Sequence, residues 1–171
     1  MSWRVVVPTE LDETQRARWR QIQKSEPNLN SPFFNPEFTM AAAADRPGAR
    51  VAILEDAGQI VAFFPFEKDG RIGEPIGRQL SDFHAVIASP QTDWDVVQMM
   101  RACGLVLWEF KNLMAYQKPL VRYHQGMSRS PAIGSPPSIS ACGRTIACIT
   151  GFPLTIRNWP NVRRASSCCF G

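Results

Sequence analysis

The sequence predicts an α/β domain, a mixed sheet flanked by helices, followed by a poorly ordered tail. Three observations carry this. Short β-branched and aromatic runs alternate with stretches of helical period in the order β-α-α-β-β-β-α-β. A length of 171 residues fits one core with an appendage. All 15 carboxylates fall at or before Glu109: eleven Lys and Arg set against them leave −4 up to that point, and eight basic residues with no acid give +8 after it. Soluble domains mix both signs. The chain therefore divides into a domain over residues 1–125 and an irregular, basic tail rich in Cys, Pro and Ser over 126–171.

Trp3 to Val7 is β-branched and short enough for a first strand, and Thr9 with Asp12 three residues on reads as a helix N-cap with its reciprocal partner. The helix that follows places Leu11, Trp19 and Ile22 on one face, and Pro27 lies past its end. Asn35 and Pro36 suit the N-cap and first position of a second helix through Ala44, which Arg46-Pro47-Gly48 ends. Arg50 to Glu55 and Gln59 to Lys68, joined at Asp56-Ala57-Gly58, predict a hairpin with strongly apolar arms; Pro65 demands a bulge or an unpaired edge in the second arm. Asp69-Gly70 makes a further turn, and Phe83 to Ala88 a third consecutive strand. Thr92 with Asp95 predicts the cap of a helix carrying Trp94, Val97, Met99 and Met100, closed by Gly104. Leu105 to Phe110 and, more weakly, Leu120 to Tyr123 complete the strands.

Several function classes are disfavoured by the same residues. No apolar stretch reaches the ~18–20 residues of a membrane span and the N-terminus lacks the apolar region of a secretory signal, so the expected location is the cytoplasm. Five cysteines, Cys103, Cys142, Cys148, Cys168 and Cys169, match neither a disulfide framework nor zinc-ligand spacing, and no metal is expected. The tail arginines Arg129, Arg144, Arg157, Arg163 and Arg164 are too dilute for a nucleic-acid-binding cluster.

His84 with Asp82 and Glu109 is the acid/base vocabulary near predicted strand ends, and His84 and Asp82 are the candidate catalytic residues. A histidine flanked by apolar residues also suits a structural role, satisfied by a carbonyl. Cys103, which would complete a triad on paper, ends an amphipathic helix and reads as a small buried hydrophobe. Phe63, Phe64 and Phe66 read as core.

The stretches Pro32-Phe33-Phe34-Asn35-Pro36-Glu37-Phe38, Ala52-Ile53-Leu54-Glu55, Gly58-Gln59-Ile60-Val61-Ala62-Phe63-Phe64-Pro65-Phe66 and Leu80-Ser81-Asp82-Phe83-His84-Ala85-Val86-Ile87, taken with the element order, resemble the N-terminal half of the cellulose-biosynthesis-type (CelD/BcsL-like) acetyltransferases of the GNAT superfamily. The resemblance spans roughly Trp3 to Ile133. It implies one half of a tandem GNAT fold, related in architecture to the peptidoglycan aminoacyl transferases. It also implies acyl-CoA-dependent N-acyl transfer serving cellulose, exopolysaccharide or envelope synthesis, with acetyl-CoA or another acyl-CoA as cofactor and an amine-bearing small molecule or sugar as acceptor. In such a double fold the acyl-CoA chemistry belongs to the C-terminal half, and the N-terminal half helps to form the acceptor cleft.

A GNAT pyrophosphate loop, Arg/Gln-x-x-Gly-x-Gly/Ala between a splayed strand and a helix N-terminus, works through free backbone N–H groups. The corresponding connection here, Ser89 to Asp93, has no glycine and carries an acid, while Arg101 to Val106 has similar spacing at a helix C-terminus, where the dipole has the wrong sign. The chain is therefore expected to lack acyl-CoA binding and to be inactive alone. From Gly134 onward the family-like wording stops, as a truncation or frameshift would produce. A frame offset by two would allow Asp, Asn, His or Tyr at the codons spanning Arg144 to Ile146. Half of a tandem fold also leaves apolar surface uncovered, which predicts self-association.

Overall fold

A computed structural model describes residues 1–89, 91–110, Met114, 117–121 and 145–148. They form an α/β arrangement: β1 (Ser2–Val6), α1 (Glu13–Ser25), α2 (Pro36–Ala44), β2 (Ala49–Asp56), β3 (Gln59–Asp69), β4 (Ile72–Pro75), β5 (Ile87–Ala88), α3 (Val96–Cys103), β6 (Leu107–Phe110), α4 (Lys118–Val121) and β7 (Thr145–Cys148). The sheet order is β1-β2-β3-β4-β6-β7, with β5 also on β3. It is mixed: β4 and β6 are parallel, with α3 in the crossover between them, and the other pairings are antiparallel.

The predicted hairpin forms as β2 and β3 around Ala57 and Gly58, whose φ of 47° and 77° give the two-residue turn that suits the twist of the flanking strands. Its apolar runs are long because both faces are covered. Ala52, Leu54, Ala62, Phe64 and Phe66 face one cluster with Met99, Met100 and Trp108; Val51, Ile53, Phe63 and Ile87 face the other with Trp19, Ile22 and Phe34. Strands buried on both faces read as continuous apolar text rather than as alternation. Phe63, Phe64 and Phe66 are fully buried core residues as expected. Trp19 stacks on Phe63 at 4.6 Å and donates its indole N–H to the Phe34 carbonyl at 2.7 Å, so its one polar atom is satisfied.

Both predicted capping pairs are shifted by the same error. Asp12 is itself the N-cap of α1, accepting from the Gln15 N–H at 2.8 Å, while Thr9 sits in a preceding 3₁₀ turn; Asp95 is itself the N-cap of α3, accepting from Gln98 N–H at 2.7 Å. Aspartate is a strong N-cap but shorter than the Glu or Gln that serves as reciprocal partner, which is why the acid marks the cap and not the third position. Trp94 consequently lies before α3, packed edge-on to Trp3 at 6.5 Å. The second helix starts and ends as predicted.

Three strand expectations need correction. The segment 72–75, read as connection, is β4. Phe83 to Ala88 pairs with β3 only at Ile87 and Ala88, and Phe83 is 44% exposed. Leu120 and Val121, read as strand, close a single helical turn whose Pro119 needs no N–H partner in that first turn. Within the stretch expected as irregular tail, Thr145–Cys148 lies antiparallel to β6, from Phe110↔Thr145 to Leu107↔Cys148. The boundary at 125/126, the switch near Gly134 and the rest of that tail lie outside the described residues. Among those described, no helix is long and apolar enough to cross a membrane.

Candidate functional site

Pro65 organises the region that carries the candidate residues. On the edge of β3 away from β2, β5 pairs with Ala62 and Phe63 and β4 pairs from Phe66 to Asp69, so Phe64 and Pro65 fall in the gap between two partners. The expected unpaired edge is therefore real, and a separate register shift lies nearby where Leu54 and Glu55 meet Ala62 and Ile60. β4 and β5 run in the same direction beside β3 and act as one interrupted strand. Residues 76–86 leave the sheet at the interruption and return to it, and this excursion bears Ser81, Asp82 and His84.

Glu67 fastens the excursion at its start. Its carboxylate is buried, at 4% exposure, and accepts the Gly77 backbone N–H at 2.9 Å on one oxygen and Arg46 Nη1 and Arg78 Nε, at 3.1 and 2.8 Å, on the other. Arg78 also reaches Glu74 at 3.0 Å. Three donors and two cations offset the cost of removing this carboxylate from water. Gly77 is needed here: its φ is +77°, and a Cβ would stand 2.8 Å from Phe38 Cζ. At the far end, the buried Gln117 amide closes a ring with Val86, accepting its N–H at 2.9 Å and donating to its carbonyl at 3.2 Å.

His84 is interior, 5% exposed, with Nε2 3.2 Å from the Ser81 carbonyl and its own carbonyl accepting from the Met114 N–H at 3.1 Å. Asp82 is at the surface, and the Ser81 hydroxyl is spent on the Phe83 carbonyl at 3.0 Å. The space enclosed by Phe33, Pro75, His84 and Trp108, with their neighbours, is about 10 Å³, about the minimum for one water molecule. A substrate-sized group does not fit beside the imidazole in this arrangement.

β4 and β6 pair through two residue couples, Ile72↔Leu107 and Gly73↔Trp108, and then part. The splayed-strand cofactor site that the resemblance implies would need free space at the ends of this pair. The excursion fills the neighbourhood, with His84, Ala85 and Trp108 lining the same small cavity. The N-terminus of α3 carries the Asp95 carboxylate on the Gln98 N–H, where a phosphate would need that donor. Arg101 to Val106 spans the C-terminus of α3: Gly104 N–H bonds the Arg101 carbonyl, Leu105 N–H bonds Met100, and the Lys68 ammonium donates to the Cys103 carbonyl at 2.8 Å. A cation at that end suits the helix dipole and leaves no seat for an anion.

Cys103 is a free thiol at 3% exposure. Burial pushes its pKa from 9.0 up to about 12 against the opposing charge of Lys68, so it is no thiolate nucleophile near neutrality. Glu109, third of the predicted acid/base group, is half-buried on β6. Among the described residues no cluster of three His, Cys, Asp or Glu could hold a metal ion. Sequence reasoning missed Glu67. Its signal was present: a carboxylate ending an apolar strand, with Arg78 eleven residues on next to a glycine. Compared with protein-family models, curated proteins and solved structures, the chain gives no match.

Two outcomes are expected. Glu67→Ala strands two arginines and the Gly77 N–H, and because the arginines reach solvent the loss in urea unfolding is about 2–3 kcal/mol rather than the full cost of a buried pair; Glu67→Gln, which keeps an acceptor, loses less. For Cys103 the folded state holds its proton more tightly than the unfolded chain, so its contribution is intact below pH 9 and disappears as pH rises toward 12. The alkaline decline in stability is therefore shallower in Cys103→Ala than in the wild type.

Proposed function

We propose that this chain is a GNAT-type N-acyltransferase half that lacks acyl-CoA binding and contributes to the acceptor side of an enzyme of cellulose, exopolysaccharide or envelope synthesis. The family rests on the resemblance in the sequence. The observation that carries the functional reading is the parallel pair β4/β6, parted after two residue couples, with α3 in its crossover and the excursion 76–86 packed beside it. A parallel pair with a helix in its crossover is compatible with the way such a fold holds its cofactor, while the Gln98 N–H at the start of α3 is already taken by Asp95. In acyl transfer to an amine the enzyme aligns the amine with a thioester and stabilises the developing oxyanion with backbone N–H groups. A chain without the thioester seat can only shape the acceptor's surroundings. Acetyl-CoA titrated calorimetrically into the full chain is expected to give no saturable heat, and saturable binding in the micromolar range would refute the proposal.

A second reading, an interaction domain that associates with itself, is favoured by the excursion's surface. Leu80 is 69% exposed and Phe83 44% exposed, and Phe83 lies 6.4 Å from the Phe33 ring, which in turn packs on Phe38 at 5.2 Å. Sedimentation that rises with concentration and reverts to monomer in a Leu80→Glu, Phe83→Glu variant is the expected behaviour. A wild-type monomer at all concentrations would exclude it.

A further inference from the structure

β6 depends on a strand from a distant part of the chain. Toward β4 it forms two couples, at Leu107 and Trp108, whereas toward β7 all four of its residues pair, from Leu107↔Cys148 to Phe110↔Thr145. Among the described residues, Glu109 and Phe110 therefore have a strand partner on the β7 side alone. Backbone groups in a sheet need such partners, which makes the outer edge of β6 a template for an extended segment.

What places β7 there is pairing and not a turn. The hairpin β2/β3 is joined by Ala57 and Gly58, so its partner and register are written in adjacent residues. Residues 111–144 separate Phe110 from Thr145, a distance far beyond any hairpin turn, so closeness in sequence does not decide which strand meets β6. Side-chain chemistry does part of that work. Thr145-Ile146-Ala147-Cys148 has no charge and no proline, and two of its residues are β-branched, which suits a ladder. The one charge on β6, Glu109, lies opposite Ile146, and an acid in that place would be repelled. Since no carboxylate follows Glu109 anywhere in the sequence, no register of the later chain sets an acid against it.

We propose that the outer edge of β6 is a strand-docking site closed by Thr145–Cys148 of the same chain, and that the strand it accepts from outside is the same segment of a second copy. Exchange between copies preserves every couple of the ladder, so the balance is set by how the strand is delivered. Residues 122–144 tether it to α4 and supply it at an effective concentration of roughly millimolar order, which keeps the edge closed at micromolar protein. The apparent affinity for a strand from another copy is reduced by the fraction of molecules standing closed. β7 is thus an intramolecular competitor. The proposal shares no residue with the Leu80 and Phe83 surface and stands whether or not the chain takes part in acyl transfer.

The test is fluorescence anisotropy of a labelled peptide of residues 143–150, carrying Cys148→Ser, titrated with the full-length chain. Alternate residues of an antiparallel strand turn their N–H groups to the partner, so the double variant Ile146→Pro, Ala147→Pro removes a donor to β6 whichever phase the ladder has. That variant is expected to bind the peptide about tenfold or more tighter than the wild type, and a peptide bearing the same two prolines is expected to bind neither. A second variant closes the edge for good. Leu107→Cys stands opposite Cys148 in the register, and in a Cys142→Ser, Cys168→Ser, Cys169→Ser background its oxidation to an intrachain disulfide is expected to abolish peptide binding, with reduction restoring the wild-type level. Equal affinity for the wild type and the double-proline variant, no saturable binding to that variant, or binding that persists in the locked chain, as a strand adding outside β7 would give, overturns the proposal. If the double-proline variant fails to fold, the locked chain decides: binding lost on oxidation and regained on reduction supports the proposal, and any other result overturns it.

Discussion

The structure depends on β3 having neighbours on every side. β2 lies along one edge, β5 and β4 divide the other, and one apolar cluster covers each face. Such a strand tolerates proline only where no ladder bond is lost, and Pro65 sits in the gap between β5 and β4. The break in the row is thus set by one residue's missing N–H. From it follow the departure of residues 76–86, the need to tether them, and the placement of Glu67 two positions along the strand to receive the Gly77 N–H and two arginines.

That tether decides how the candidate residues are read. His84 lies on the excursion beside Trp108, between a carboxylate clamp at Gly77 and an amide ring at Val86. A site for chemistry leaves room for a substrate next to the imidazole; here the room is about 10 Å³. Asp82 and Leu80 are exposed to solvent, while Phe83 is partly exposed and also lines the small cavity. The excursion therefore has an inner side that fills space and an outer side that is free to meet something else.

Legibility in the sequence followed how local each signal was. The hairpin, the helix from Pro36 to Ala44 and the C-cap at Gly104 are written in adjacent residues and were readable. β4 was not, because Ile72-Gly73-Glu74-Pro75 has the Gly and Pro of a connection and becomes a strand only through β3 and β6 on either side. The caps at Asp12 and Asp95 were seen as acids in the right neighbourhood and assigned to the wrong position. Leu120 to Tyr123 was read as a strand, and only the bonds from Gln117 to Met114 and from Leu120 to Gln117 reveal a helical turn instead. Glu67 was visible as an acid ending an apolar run, with Gly77 and Arg78 further on, but that two arginines converge on it is a matter of tertiary placement.

The excursion is a fixed filler beside β4 and β6 and not a lid over an occupied site. Amide hydrogen exchange at Gly77 and Val86 measures this most directly, because each N–H is bonded to a buried side chain, Glu67 or Gln117, rather than to a strand. Exchange at both is expected to be as slow as at the central amides of β3 and unchanged when acetyl-CoA is added. Exchange at the rate of an open loop, or protection that appears only with acetyl-CoA, would contradict it.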